Sequence, residues 1–271
     1  MRRQFPLNGL AGASALALAI GHFANPVRPA SDLLSTPATA PSIAVYVDSV
    51  AGEVLGTTEA DSRVALRTRS ALSAFGTVMR SLSHERALES AFRSFYAYQA
   101  KHPTKVRKPL LYFVDYGLPA TAKRGYVFDM EKLSIVDGPF TVAHGRGSST
   151  SRFGVPTLFS NRHGSAATSL GLYLAQETYR FSGTASGGRY TSIGLRLQGV
   201  SGSFNSNARS RGVVAHGAPY VTASQAGRSE GCPAVDQQRA KTLMPMLANG
   251  ALVFLFAPDE HWLKSDPWIT G

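Results

Sequence analysis

Leu110-Leu111-Tyr112-Phe113-Val114 is the first of a series of short apolar runs, each cut off by turn residues, that begins once the chain passes Pro109. Runs of this kind, rich in β-branched and aromatic residues and bounded by Gly, Pro, Asn or Asp, are strands. Tyr126–Phe128, Leu133–Val136, Phe140–Ala143, Leu172–Leu174, Ile193–Leu197, Gly212–Ala215 and Leu252–Phe256 follow the same pattern. One helix interrupts them, from Asp236 to Leu247, with Asp236 as its cap and Asn249-Gly250 as its stop. Many strands with a single late helix predict a mainly β domain, a β-sandwich or small barrel. The segments Gly183–Arg189 and Gly199–Ser210 are rich in Gly, Ser and Asn, and are predicted as loops around a cleft.

Upstream of this domain, Arg67 to Ala100 carries Ala, Leu, Phe and Tyr at helical spacings, which predicts one or two helices with an aromatic packing face. Ile43–Val47 is a short extended piece on local propensity, and Asn25 to Ser42 is a tether dense in Pro, Ala, Ser and Thr. Met1-Arg2-Arg3 precedes an apolar run from Leu10 to Phe23, the arrangement of a secretory signal, with an uncleaved membrane anchor or a buried helix as the alternatives. The expected division is therefore a signal or anchor at 1–24, a flexible linker at 25–60, a helical segment at 61–104, the β domain at 105–260 and a tail at 261–271.

The net charge is +11. Between Thr141 and Glu230 the basic residues are all arginines, and the only acids are Glu177 and Glu230. Guanidinium forks suit carboxylates and phosphates, so an anionic partner or a solvated basic surface is implied. No nucleic-acid motif or clustered basic helix accompanies the charge, and nucleic acid is not expected. No histidine pair has a metal-ligand spacing supported by carboxylates, so neither a metal nor another cofactor is predicted.

Cys232 is the only cysteine, and it lies sixteen positions after His216 in the run Arg228-Ser229-Glu230-Gly231-Cys232-Pro233-Ala234-Val235. A lone thiol either packs as a small hydrophobe or acts as a nucleophile. A glycine before it allows a tight turn and close approach of a substrate. His216 closes a strand, and the loop from Ala218 to Gly227 can return Cys232 to the same end of the sheet. An imidazole within hydrogen-bond reach is expected to lower the thiol pKa and make thiolate the major form, while the amides of Gly231 and Cys232 can face a tetrahedral oxyanion.

His216-Gly217, followed after a loop by Arg228-Ser229-x-Gly231-Cys232-Pro233-Ala234, resembles the murein L,D-transpeptidase catalytic-domain family, relatives of the YkuD-like cysteine transpeptidases. Tyr126–Asp129, Val142–Gly145, Phe159–Asn161, Ser169–Tyr173, Glu177–Tyr179 and Asn205–Arg209 resemble successive blocks of that family, over about Leu110 to Pro258. The resemblance implies a secreted or periplasmic protein acting on peptidoglycan stem peptides. It implies Cys232 as nucleophile, His216 as base and Gly231 in the oxyanion turn, with Ser229, Gly217 and His144 lining the cleft. Two positions depart from the wider superfamily: Glu230 stands where a histidine is frequent, and Ala234 where an arginine is frequent. Arg228 or Arg209 is the expected substitute for that arginine in binding a substrate carboxylate. The expected reaction is release of D-alanine from a stem tetrapeptide and transfer of the diaminopimelate L-centre to an amine or to water. The rivals are a wall-binding module with an inert cysteine, and a cysteine peptidase. Papain-like order, cysteine before histidine, is the reverse of this chain's. No obligate protein partner is expected.

Overall fold

The computed structural model describes residues 43–76 and 82–271, with side chains from residue 59 onward in the first helix. The expected signal or anchor at 1–24, and the linker as far as residue 42, lie outside the described residues. The chain divides after Tyr46, and the elements from Val47 onward belong to one compact unit, Val47–Gly271.

The first helix, α1, runs Ile43–Phe75, and the second, α2, Ala87–Lys101. The predicted extended piece Ile43–Val47 is therefore helical, and 43–60 is not linker. Its β-branched residues are poor helix formers, but the stretch contains no proline, and adding residues to an existing helix is far easier than starting one. The aromatic face of the helical segment does pack. Phe75 and Phe92 meet Phe128 of the sheet at ring-centroid distances of 4.8 and 5.4 Å. Truncating a buried ring of this kind to alanine costs about 3–5 kcal/mol.

The strands are β1 (Leu110–Asp115), β2 (Gly125–Asp129), β3 (Ser134–Phe140), β4 (His144–Gly145), β5 (Gly171–Ala185), β6 (Gly188–Gly199), β7 (Val214–Gly217), β8 (Arg228–Ser229), β9 (Ala234–Val235) and β10 (Leu252–Phe256). Eight of them form one mixed sheet, ordered β3-β2-β1-β10-β5-β6-β7-β9, and β4 pairs with β8 in a second. The mainly β class holds. The β1–β10 and β7–β9 pairs are parallel. The late helix, α3, spans Gln237–Leu247, and the Asp236 side chain accepts a hydrogen bond from the Arg239 N–H as its cap. It buries Ala240, Leu243, Met244 and Leu247. Asn249 and Gly250 end it with φ of 62° and 122°.

Two expectations fail in this region. Gly183–Arg189 is not a loop: β5 and β6 pair out to Ala185 and Gly188, joined by Ser186 and Gly187, both at positive φ, as a two-residue hairpin turn requires. Residues 261–271 are not a tail either. Two short helices, α4 (Glu260–Leu263) and α5 (Pro267–Thr270), follow β10, and Trp262 is buried against Phe254 and Phe256.

Candidate active site

Cys232 lies in the turn between β8 and β9, and the turn is internally braced. Ser229 Oγ donates to the Cys232 carbonyl at 2.7 Å and accepts from the Gly231 N–H at 3.2 Å. Gly231 has φ +120°, and a Cβ there would come within 2.9 Å of the Ala167 carbonyl, so only glycine fits. Because Ser229 occupies the Gly231 amide, the expected pair of oxyanion donors is reduced to one. The Cys232 N–H has no acceptor among the described residues. Ser229 thus shapes the turn.

β7 carries His216 and lies beside β9, with His216 level with Ala234 and, on its other side, with Gly194 of β6. Cys232 is half-buried as a residue, and its sulfur lies 3.9 Å from the Gly212 carbonyl, at the entry to β7. In this parallel register Cys232, two residues before Ala234, comes level with Val214 at the start of β7, two residues short of His216. The expected hydrogen bond between Cys232 and His216 is not present among the described residues.

The imidazole is almost fully buried and stacks on Phe181 of the hairpin, with centroids 4.1 Å apart and planes 18° from parallel. A carbonyl can only accept, so the 3.0 Å contact between Nδ1 and the Gly217 oxygen places the proton on Nδ1 and leaves the Nε2 lone pair free. Burial lowers the His216 pKa to about 4, against a smaller upward push from that hydrogen bond. Burial raises the thiol pKa, and Glu230 adds to the rise; the Val214 amide and Arg211 oppose it. Thiol and neutral imidazole are the resting forms, which corrects the expected thiolate. The physical reason is desolvation, which penalises both charges at once.

The other expected site residues do different work. His144 is completely buried, so it does not line the cleft. Its Nδ1 lies 3.0 Å from Arg124 Nη2; arginine only donates, so His144 is neutral with its proton on Nε2, and that Nε2 has no partner. Burial, then the charges of Arg124 and Arg228, lower its pKa to about 3. Pairing of β4 with β8 brings Gly145 against the cysteine turn, where an added Cβ would lie 2.8 Å from Gly231 Cα. Gly217 supplies the carbonyl that orients His216, and a Cβ on it would meet Ala240 of α3 at 2.7 Å. Arg228 donates from Nη1 to the Ser149 and Thr150 carbonyls at 3.0 and 3.3 Å. Arg209 is held by Gln176 and by Glu177, which also pairs with Arg196 at 3.1 Å. A third arginine, Arg211, has its Nη2 3.6 Å from where a Cβ on Gly231 would stand.

A family model of the L,D-transpeptidase catalytic domain matches residues 80–256 of the 271. The chain belongs to the L,D-transpeptidase catalytic-domain family. Solved structures similar to this family member include an L,D-transpeptidase from Mycobacterium smegmatis, at 16% identity over 55% of this chain and 59% of that one, with a TM-score of 0.34. An L,D-transpeptidase from Mycobacterium tuberculosis H37Rv is 18% identical over 55% of this chain and 58% of the other, with a TM-score of 0.31. The chain thus spans less than two thirds of the length of these neighbours. No curated protein is similar enough to count as a relative. Among the described residues of this L,D-transpeptidase-family chain, no group of three His, Cys, Asp or Glu side chains could hold a metal. No described helix is long and apolar enough to cross a membrane.

Proposed function

We propose that the protein is an exported cysteine acyl transferase acting on peptidoglycan stem tetrapeptides. The observation that carries the reading is a half-buried cysteine on a braced glycine turn beside a strand that presents a neutral imidazole with its Nε2 lone pair free. Membership of the L,D-transpeptidase family supports the substrate class.

In the proposed reaction the Cys232 sulfur attacks the carbonyl at the L-centre of a diaminopimelate residue while its proton passes to His216 Nε2. The oxyanion is received by the Cys232 N–H. As the intermediate collapses, the C–N bond to D-alanine breaks and His216 returns the proton to the leaving amine. A thioester remains. A side-chain amine of a second stem then attacks the thioester, giving up a proton through His216 to the departing sulfur and forming a cross-link. Water as the acceptor gives carboxypeptidase action instead.

Holding proton transfer inside one concerted step suits a pair whose resting forms are both neutral. Protonating an imidazole of pKa about 4 at neutral pH costs about 4 kcal/mol, so the proton resides there only while the developing oxyanion stabilises it. Val214, whose backbone N–H reaches the thiol, and His216 are two residues apart on β7, about 7 Å along the strand, and the proposed transfer requires the two side chains to close that gap as substrate is bound. The basic surface draws in the anionic polymer.

The alternative is a wall-binding module whose cysteine is inert, and one observation favours it: burial raises the thiol pKa. Incubation with purified disaccharide tetrapeptide, with products weighed by mass spectrometry, separates the two readings. Wild type is expected to release D-alanine with or without a cross-linked dimer, and Cys232→Ala to release none. Equal turnover by both proteins refutes the enzymatic reading, and absence of turnover in both favours the module.

A further inference from the structure

We infer that Arg211 is a positioning residue for the Cys232 turn: its guanidinium staples the 160–169 segment into the wall on which Gly231 rests and holds a fixed positive charge next to that glycine. The inference rests on the proposed reaction for its kinetic consequence alone.

Four hydrogen bonds define the staple. Nη1 donates to the Ser160 carbonyl at 2.7 Å and to Ser169 Oγ at 3.3 Å. Nη2 donates to the Ala167 carbonyl at 2.7 Å and to Ser165 Oγ at 3.2 Å. The Ala167 carbonyl is the same group that crowds Gly231, within 2.9 Å of where a Cβ would stand. One guanidinium therefore ties down the surface that sets the +120° turn. A lysine ammonium offers three donors from one point and cannot span four acceptors arranged in this way.

The four occupied donors also exclude a two-pronged grip on a substrate carboxylate. Arg211 acts through the turn, not on the substrate.

Charge is its second contribution. The groups whose fields couple to Cys232 come from every element around it: Glu230 on its own turn, Tyr116 after β1, Tyr173 and Tyr179 on β5, Tyr190 on β6 and Tyr220 after β7. The pKa of each tyrosine is raised, so they are neutral at physiological pH. His216 is neutral as well. Arg211 is then the cation that lowers the thiol pKa, against Glu230, which raises it and is itself paired with Arg146 at 2.7 Å. A thiolate developing during attack is stabilised by a guanidinium that is already oriented and does not have to reorganise.

The test uses the full chain, in which Cys232 is the only thiol, so alkylation by iodoacetamide reads that one sulfur. Rates are measured against pH for wild type, Arg211→Met and Arg211→Lys, with circular dichroism to establish folding, and kcat and KM for D-alanine release are measured on the tetrapeptide. Arg211→Met is expected to move the alkylation midpoint to higher pH and to lower kcat by about tenfold or more with KM nearly unchanged. Arg211→Lys, which keeps the charge and loses the fork, is expected to restore the midpoint but only part of kcat. A folded Arg211→Met with the wild-type midpoint overturns the charge role. Should Arg211→Met not fold, a folded Arg211→Lys decides: wild-type kcat overturns the staple, and a displaced midpoint overturns the charge. If wild type itself does not turn over the tetrapeptide, the proposed reaction fails while the alkylation profile still tests Arg211.

Discussion

Acidification should unfold this protein by a route that can be assigned to His144. The imidazole is enclosed, accepts from Arg124 at Nδ1, and has a pKa of about 3 against 6.5 for the free group. Arg124 is itself buried, lowered to about 10 mainly by desolvation, and remains charged across the acid range. The folded chain therefore cannot take up a proton that the unfolded chain binds below pH 6.5. A depressed folded pKa means that the stability contribution is complete above the unfolded value and is lost as pH falls toward the folded one. Between pH 8 and pH 5 the loss is about 2 kcal/mol, and by pH 3 about 4–5 kcal/mol, at about 1.4 kcal/mol per unit of pKa difference. Urea unfolding followed by tryptophan fluorescence at each pH measures it. His144→Asn puts an amide oxygen where Nδ1 accepts from Arg124 and removes the titration. The variant should be less stable at pH 8, from the lost ring volume, and its stability should fall about 2 kcal/mol less than that of wild type between pH 8 and pH 5. The His216 contribution is common to both proteins and cancels in the difference. Equal losses in wild type and variant would refute the neutral, buried assignment.

Other consequences are as direct. The acid limb of kcat/KM should fall near pH 4, because His216 has to be unprotonated to accept the thiol proton. Phe181→Ala removes the ring stacked on His216 and admits water, so that limb should move up toward 6.5, read from a pH–rate profile. Gly231→Ala forces a Cβ into the left-handed region and within 2.9 Å of the Ala167 carbonyl; it should cost about 1–3 kcal/mol in urea unfolding and abolish most D-alanine release. Trp262→Ala should destabilise the protein by about 3–5 kcal/mol, read from urea unfolding, because the buried ring packs on Phe254 and Phe256 of β10.

What was legible in the sequence was what local chemistry determines. Asp236 caps α3 and Asn249-Gly250 ends it because cap and stop are decided within a turn of the helix. The parallel return of β9 beside β7, with Ala234 level with His216, follows from two neighbouring extended runs joined by the 218–233 connection. Features decided by distant packing were not legible. Ile43–Val47 has the composition of a strand and is helical because it continues a long proline-free helix. The Ser186-Gly187 turn has the composition of a loop, and it is the pairing of β5 with β6 that makes it a hairpin tip. Trp262 belongs to the core only because β10 presents Phe254 and Phe256 to it. At the site, Arg209, Arg211 and Arg228 are equivalent in sequence. Only the fold assigns Arg211 to the Gly231 wall, Arg209 to Glu177, and Arg228 to the Ser149 and Thr150 carbonyls. The resting protonation of Cys232 and His216 went the same way, since it depends on burial under Phe181 and on neighbours from several strands.

The intact mass of the protein, quenched in acid within the first turnovers on disaccharide tetrapeptide, bears most directly on whether the sulfur at 232 carries the acyl group. The account predicts an added mass equal to the substrate less D-alanine, located by peptide mapping on Cys232 and absent from Cys232→Ala. D-Alanine released by wild type with no such adduct, or an adduct on another residue, would contradict it.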